Sequence, residues 1–142
     1  MSYTVSKTFR FEAGHRVWNQ ELNTIEGVQF ENKCRNIHGH SYEVEVKIAS
    51  LTLNNYGVVI DFTHIKYYMQ QLIEKLDHAF IIDINDPLYE TIKATNTKIF
   101  EVNFVPTAEN LARFIYNYLK EYIPNVSEVI VYETKTSYAI YR

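Results

Sequence analysis

The chain has 142 residues and a formal charge of −3 at neutral pH, the length of one ordinary domain and a balance that argues against a generic nucleic-acid binder. Its 46% hydrophobic and 22% charged residues suit a globular protein with its own core, and no apolar run approaches the ~20 residues that a membrane span requires. Met1-Ser2-Tyr3-Thr4-Val5 lacks a basic segment followed by an apolar one, and the lone Cys34 cannot form an internal disulfide, so a cytoplasmic protein with a free thiol is expected, with neither nucleic acid nor membrane as partner.

From Tyr3 to Phe11 the chain alternates. Tyr3, Val5, Phe9 and Phe11 share one face, with Lys7 the exception, and Thr4, Ser6, Thr8 and Arg10 take the other, which predicts a half-buried strand. Residues 16–37 are polar and irregular, with Asn19, Gln20, Asn23, Gly27 and Asn32; a loop this long in a compact domain is usually functional or mobile. Tyr42, Val44, Val46 and Ile48 then alternate with Glu43, Glu45 and Lys47, a second strand with one wet face, as antiparallel sheets commonly have. The two strands are expected to form a hairpin closed by the long loop.

Asn54-Asn55-Tyr56-Gly57 marks a turn, and Val58-Val59-Ile60 is a short apolar run. A helix is predicted from about Phe62 to Leu76, capped by Asp61 or Thr63 and striped by Ile65, Tyr68, Met69, Leu72, Ile73 and Leu76. Residues 81–104 are mixed, with a turn at Asn85-Asp86-Pro87 and a short strand within Ile99 to Phe104. Thr107 is expected to cap a second helix, with Glu109 in its first turn, a stripe of Leu111, Phe114, Ile115, Tyr118, Leu119 and Tyr122, and Pro124 just past its end. Val129–Tyr132 and Tyr138–Tyr141 read as two last strands. The predicted order is ββααββ, an α+β sandwich with a four-stranded antiparallel sheet and two helices in one domain, 1–142. The 12 tyrosines and 8 phenylalanines fit either half-buried strand positions or an oligomer interface.

Cys34-Arg35-Asn36-Ile37-His38-Gly39-His40 carries the chemistry. His38 and His40, two apart on an extended backbone, point to one side. His15 ends the first strand where the second begins, so antiparallel pairing gathers three imidazoles at one sheet end. A lone strand histidine is usually packed or solvated. Three together form the pattern of a catalytic zinc with an open position, although iron, nickel and copper also accept imidazole. Gly39 removes a side chain where backbone must come close or bend. Cys34 is either an inert small hydrophobe, a reactive thiol favoured by the flanking Lys33 and Arg35, or a fourth ligand that closes a structural site. Asp77-His78 is either a helix C-terminal pair or a proton-exchanging pair. His64 reads as solvated. Glu133, at a strand end, is ordinarily solvated, yet a carboxylate there can hold a guanidine-like edge through two hydrogen bonds.

Six stretches resemble the 6-pyruvoyl-tetrahydropterin synthase / 6-carboxy-tetrahydropterin synthase family: Phe9-Arg10-Phe11-Glu12-Ala13-Gly14-His15-Arg16, Cys34-x-x-x-His38-Gly39-His40-Ser41-Tyr42, Val59-Ile60-Asp61-Phe62, Leu76-Asp77-His78, Pro106-Thr107-Ala108-Glu109-Asn110-Leu111 and Tyr132-Glu133-Thr134. The resemblance implies a tunnelling fold whose sheets join into a barrel around a trimer, two trimers stacking as a hexamer with active sites between subunits. It implies zinc on His15, His38 and His40, Cys34 as the proton-abstracting base, Asp77 and His78 as its relay, and Glu133 as the anchor for a pterin, with Thr107 and Glu109 lining the pocket. The implied substrate is 7,8-dihydroneopterin triphosphate. Three residues separate Cys34 from His38, which resembles the bacterial 6-carboxy-5,6,7,8-tetrahydropterin synthases of queuosine biosynthesis. The biopterin-pathway synthases usually carry a longer spacer, and the folate-supporting group carries Glu in place of Cys or before the His-Gly-His. A non-catalytic zinc or pterin-binding module is the alternative of another class. Gly14 stands where family members often have Ala, and the loop from Arg16 to Lys33 is longer than in the shortest bacterial members. Lys33, Arg35, Arg16 and Lys135 are candidates to hold the triphosphate by charge.

Overall fold

The computed structural model describes residues 2–22 and 24–142; Met1, and Asn23 of the polar loop, lie outside the described residues. Among the described residues the elements run β1 (Tyr3–His15), β2 (Thr24–Ile25), β3 (Val28–Gln29), β4 (His38–Ser50), α1 (Phe62–Leu76), β5 (Ala79–Asp83), α2 (Tyr89–Ala94), β6 (Ile99–Val102), α3 (Ala108–Lys120), β7 (Val126–Tyr132) and β8 (Tyr138–Tyr141). β1 and β4 pair antiparallel along their whole length, from Tyr3 opposite Ser50 to His15 opposite His38. Side chains on a strand alternate between faces, so Phe11, Tyr42, Val44, Val46 and Ile48 are all buried on one side. The other side carries Thr4, Ser6, Thr8 and Arg10, all exposed.

The strand order is β6-β5-β1-β4-β7-β8. The four strands of the expected antiparallel sheet are β1, β4, β7 and β8, and β6 falls within the short strand expected between Ile99 and Phe104. The sheet is nevertheless six-stranded and mixed, because β5 pairs parallel to β1 and β6 parallel to β5. This corrects the expectation of four antiparallel strands and two helices, while the α+β class is as expected. The cause is local. Ala79-Phe80-Ile81-Ile82 shows no alternation because β5 is covered on both faces, and α2 buries no residue, so neither carries a periodic signal. The long loop is also not wholly irregular: β2 and β3 form a small separate hairpin, and Lys33–Arg35 is one turn of 3₁₀-helix.

The helices lie as predicted. Asp61, not Thr63, caps α1, its carboxylate accepting the Thr63 N–H at 2.8 Å. Thr107 caps α3, its hydroxyl accepting the Asn110 N–H at 3.2 Å. α1 buries Ile65, Met69, Leu72 and Leu76, and α3 buries Ala108, Leu111, Ala112, Ile115 and Leu119. Tyrosines stitch the two helices together: Tyr68 and Tyr122 stack with centroids 4.5 Å apart, and the Tyr118 hydroxyl donates to the Tyr68 carbonyl at 2.8 Å. Part of the aromatic excess therefore serves internal packing. Truncating a fully buried stripe residue tests this core. Ile115→Ala should lower the unfolding free energy by about 2–5 kcal/mol in denaturant melts, whereas exposed Arg10→Ala should stay within about 0.5 kcal/mol.

Candidate functional site

The β1–β4 register builds the site. His15 stands opposite His38, and His40 opposite Ala13. One nitrogen from each imidazole lies within 4.8 Å of the others. Gly39 makes the approach possible, since a Cβ there would sit 3.0 Å from the Ala13 carbonyl oxygen. Two rings are set by carbonyls: His15 Nδ1 lies 2.7 Å from the Pro106 oxygen and His38 Nδ1 lies 2.6 Å from the Asn36 oxygen. A carbonyl only accepts, so each Nδ1 carries the proton and each Nε2 presents its lone pair, the arrangement that metal-ligating histidines use.

His15 Nε2 and His40 Nε2 are buried without a hydrogen-bond partner among the described residues. An unpartnered buried polar atom costs about 1–3 kcal/mol, and a cation held between the two nitrogens would relieve both. Tetrahedral zinc with bonds of about 2.0–2.1 Å sets its nitrogens roughly 3.3–3.4 Å apart, so a trio lying within 4.8 Å of one another would draw together on binding. The residues therefore fit a metal ion. Burial drives the His15 pKa down to about 4, against the pull of the Pro106 carbonyl and with help from His38 and His40. Burial also lowers His40, while Glu133 raises it and His38 lowers it further. Both are thus neutral at pH 7, as ligands must be. Glu133 Oε2 stands 3.7 Å from His40 Nε2, beyond hydrogen-bond range and, with His40 neutral, not an ion pair.

Cys34 is exposed on its 3₁₀ turn, its N–H donating to Gln20 Oε1 at 3.0 Å and its carbonyl accepting the Val17 N–H at 2.7 Å. Asp77 and His78 pair at 3.0 Å beyond α1. The Glu12 N–H, then His78, hold the Asp77 carboxyl below its ordinary pKa. His78 has a left-handed φ of 59° and donates its N–H to the Glu12 carbonyl. His38, His40 and His78 share the lining of an open groove of about 500 Å³, but Cys34 does not lie there. Asp77-His78 precedes β5 and is tied to the Glu12 backbone, whereas the Cys34 turn is tied to Val17 and Gln20. The fold brings the histidines and Glu133 together, and the thiol does not line the groove that His78 shares with His38 and His40. Thr107 is half-buried beside Pro106, and Glu109 is exposed in the first turn of α3.

Two features of the site go beyond the sequence reading. Tyr42 Oη is a third buried polar atom without a partner among the described residues, with its ring edge-on to His15 and His40. Burial, then Glu133, raises its pKa, so the hydroxyl keeps its proton. A signal for it exists, since 38, 40 and 42 are one face of one strand. Arg16 is also not a free cation, because its guanidinium is paired with Asp86.

The sequence profile of the family described as 6-pyruvoyl tetrahydropterin synthase matches residues 4–142. The chain belongs to this family. It is 47% identical to a 6-carboxy-5,6,7,8-tetrahydropterin synthase of Aquifex aeolicus, covering 100% of this chain and 99% of that one. It is 30% identical to a 6-pyruvoyl tetrahydrobiopterin synthase of Dictyostelium discoideum, with 100% and 98% covered. A crystal structure of an uncharacterised protein of Wolinella succinogenes superposes with a TM-score of 0.91 at 33% identity, covering 99% and 98% of the two chains. The expectation of a family enzyme of the lyase class is met. Among the described residues no helix is long and apolar enough to cross a membrane.

In this pterin synthase scaffold the buried His15 gives a signed pH dependence. Its folded pKa of about 4 lies below the ordinary 6.5, so its stability contribution is present above the ordinary value and is lost as pH falls towards the folded one. Denaturant melts of metal-free protein should show about 2 kcal/mol less stability near pH ~5 than near pH ~7.5 from this group. Added zinc should raise stability at the higher pH, and an absence of both effects would place His15 in solvent. Tyr42→Phe removes an unpartnered hydroxyl and should leave the melting temperature unchanged or higher; a loss above about 1 kcal/mol would mean that the hydroxyl is bonded.

Proposed function

We propose that this lyase converts 7,8-dihydroneopterin triphosphate and water into 6-carboxy-5,6,7,8-tetrahydropterin, acetaldehyde and triphosphate, the step that serves queuosine biosynthesis, through a single domain spanning 1–142. The observation that carries the reading is the end-to-end 47% identity to a synthase of that name, together with the histidine trio of this chain. The three-residue spacer between Cys34 and His38 supports the same branch.

In this reading His15, His38 and His40 hold zinc through ring nitrogens. Zinc, when bound, supplies Lewis acidity towards the side-chain hydroxyls of the substrate. The Cys34 thiolate takes the proton from the adjacent carbon. Asp77 orients His78 at 3.0 Å, and His78 passes protons to and from the pterin ring. Glu133 accepts two hydrogen bonds from the amino-pyrimidine edge, with Thr107 and Glu109 near that pocket. Lys33, Arg35 and Lys135 remain the cations for the triphosphate.

We infer further that the working site is shared between copies of the chain. Cys34 is absent from the groove that His78 lines in its own chain, which supports a neighbour completing the relay. Among the described residues β6 and β8 end the sheet with unpaired edges, which are templates for pairing. These features support closure into a barrel and a hexamer built as two trimers.

Product analysis tests the reading. Zinc-loaded protein incubated with dihydroneopterin triphosphate should release acetaldehyde and 6-carboxy-tetrahydropterin by mass spectrometry. A 6-pyruvoyl product would move the chain to the biopterin or folate branch. Cys34→Ala should lower turnover by on the order of 10²–10⁴-fold, while keeping zinc. Loss of zinc instead would mean a closed, non-catalytic site.

A further inference from the structure

Arg16 is a candidate by charge for holding the triphosphate, but its side chain is already committed. Nε donates to Asp86 Oδ2 at 2.8 Å and a terminal nitrogen to Asp86 Oδ1 at 2.5 Å, while the other terminal nitrogen reaches the Arg35 carbonyl at 3.3 Å. The two side chains are 16% and 2% exposed. Asp86 Oδ1 also accepts the Leu88 N–H at 2.8 Å. Burial opposes its charge, yet the Arg16 and Leu88 hydrogen bonds hold the carboxyl below its ordinary pKa. A bidentate, charge-assisted pair of this kind fixes geometry as well as energy.

A second tether lies two residues on. Trp18 Nε1 donates to Asp83 Oδ2 at 3.0 Å, and Asp83 is buried with its other oxygen accepting the Asn85 N–H. Arg16 and Trp18 thus pin the start of the long loop to the turn that ends β5. That pinned limb in turn grips the cysteine, since the Val17 N–H donates to the Cys34 carbonyl, Gln20 accepts the Cys34 N–H, and Arg16 reaches the next carbonyl at Arg35. The 3₁₀ turn itself buries no residue, so hydrophobic packing does not hold it.

We propose that Arg16 and Asp86 form a positioning pair, assisted by Trp18 and Asp83, that sets where the Cys34 thiol stands relative to His15, His38 and His40. Arg16 is then a structural fork and not a triphosphate ligand. The kinetic consequence rests on the reading of Cys34 as the base; the structural consequence does not.

Arg16→Lys tests it, because lysine keeps the charge and loses the fork. In zinc-loaded full-length protein the Val17 and Cys34 amides should exchange hydrogen at least about tenfold faster, while zinc content is retained. Displacing a reacting group by about 1 Å costs on the order of 10²-fold, so kcat should fall by that order while KM stays within about twofold. Unchanged amide protection overturns the proposal, as does an unchanged kcat or a rise confined to KM. Where Arg16→Lys does not fold, Asp86→Asn and Trp18→Phe are measured in the same way, and the same results support or overturn the proposal. If Cys34→Ala retains turnover, the base assignment has failed, and amide protection alone decides the positioning pair.

Discussion

The antiparallel ladder between β1 and β4, thirteen residues on each strand, governs both the core and the site. A slip of one residue in such a ladder sends every side chain to the opposite face. A slip of β4 would expose Tyr42, Val44, Val46 and Ile48 and carry His38 and His40 to the face away from His15. Hydrophobic burial along the lower ladder therefore locks the geometry of the imidazoles at its upper end. The close pass of Gly39 against the Ala13 carbonyl adds a steric condition at the one place where a larger residue would force the strands apart.

That arrangement places polar groups where burial works against them. His15, His40 and Tyr42 each bury an atom that no described residue satisfies. Protein interiors rarely leave such atoms unpaired, and three around one point mark a place where stability has been conceded to function. The same desolvation that disfavours the imidazolium keeps the ring nitrogens unprotonated and ready to ligate at neutral pH. The carbonyls of Pro106 and Asn36 select the tautomer. Pro106 comes from the entrance to α3, so the helix cap at Thr107 and the orientation of His15 depend on the same short segment.

Much of this was legible in the chain. The alternation of residues 3–11 and 42–48 announced the hairpin, the stripes announced α1 and α3, and the His-x-His spacing with His15 at the paired strand end announced three candidate ligands. β5 and α2 were not legible for opposite reasons. A strand covered on both faces has no period, and a six-residue helix that buries nothing has no stripe. Tyr42 was visible as a core residue but not as an unpartnered hydroxyl, since its alternation says only which face it takes. Arg16 could be read only as charge; its partner Asp86 lies 70 residues away in a turn that looked like punctuation.

Local periodicity and motif spacing, which depend on near neighbours, sufficed by themselves to determine the α+β class, the two main helices, the central hairpin, the three candidate ligands and the family. Tertiary structure alone decided what depends on distant partners: the six-stranded mixed sheet, the depressed basicity of His15, the groove shared by His38, His40 and His78, and the commitment of Arg16. Burial and long-range ion pairs are properties of the folded arrangement, and no window along the chain contains both halves of them.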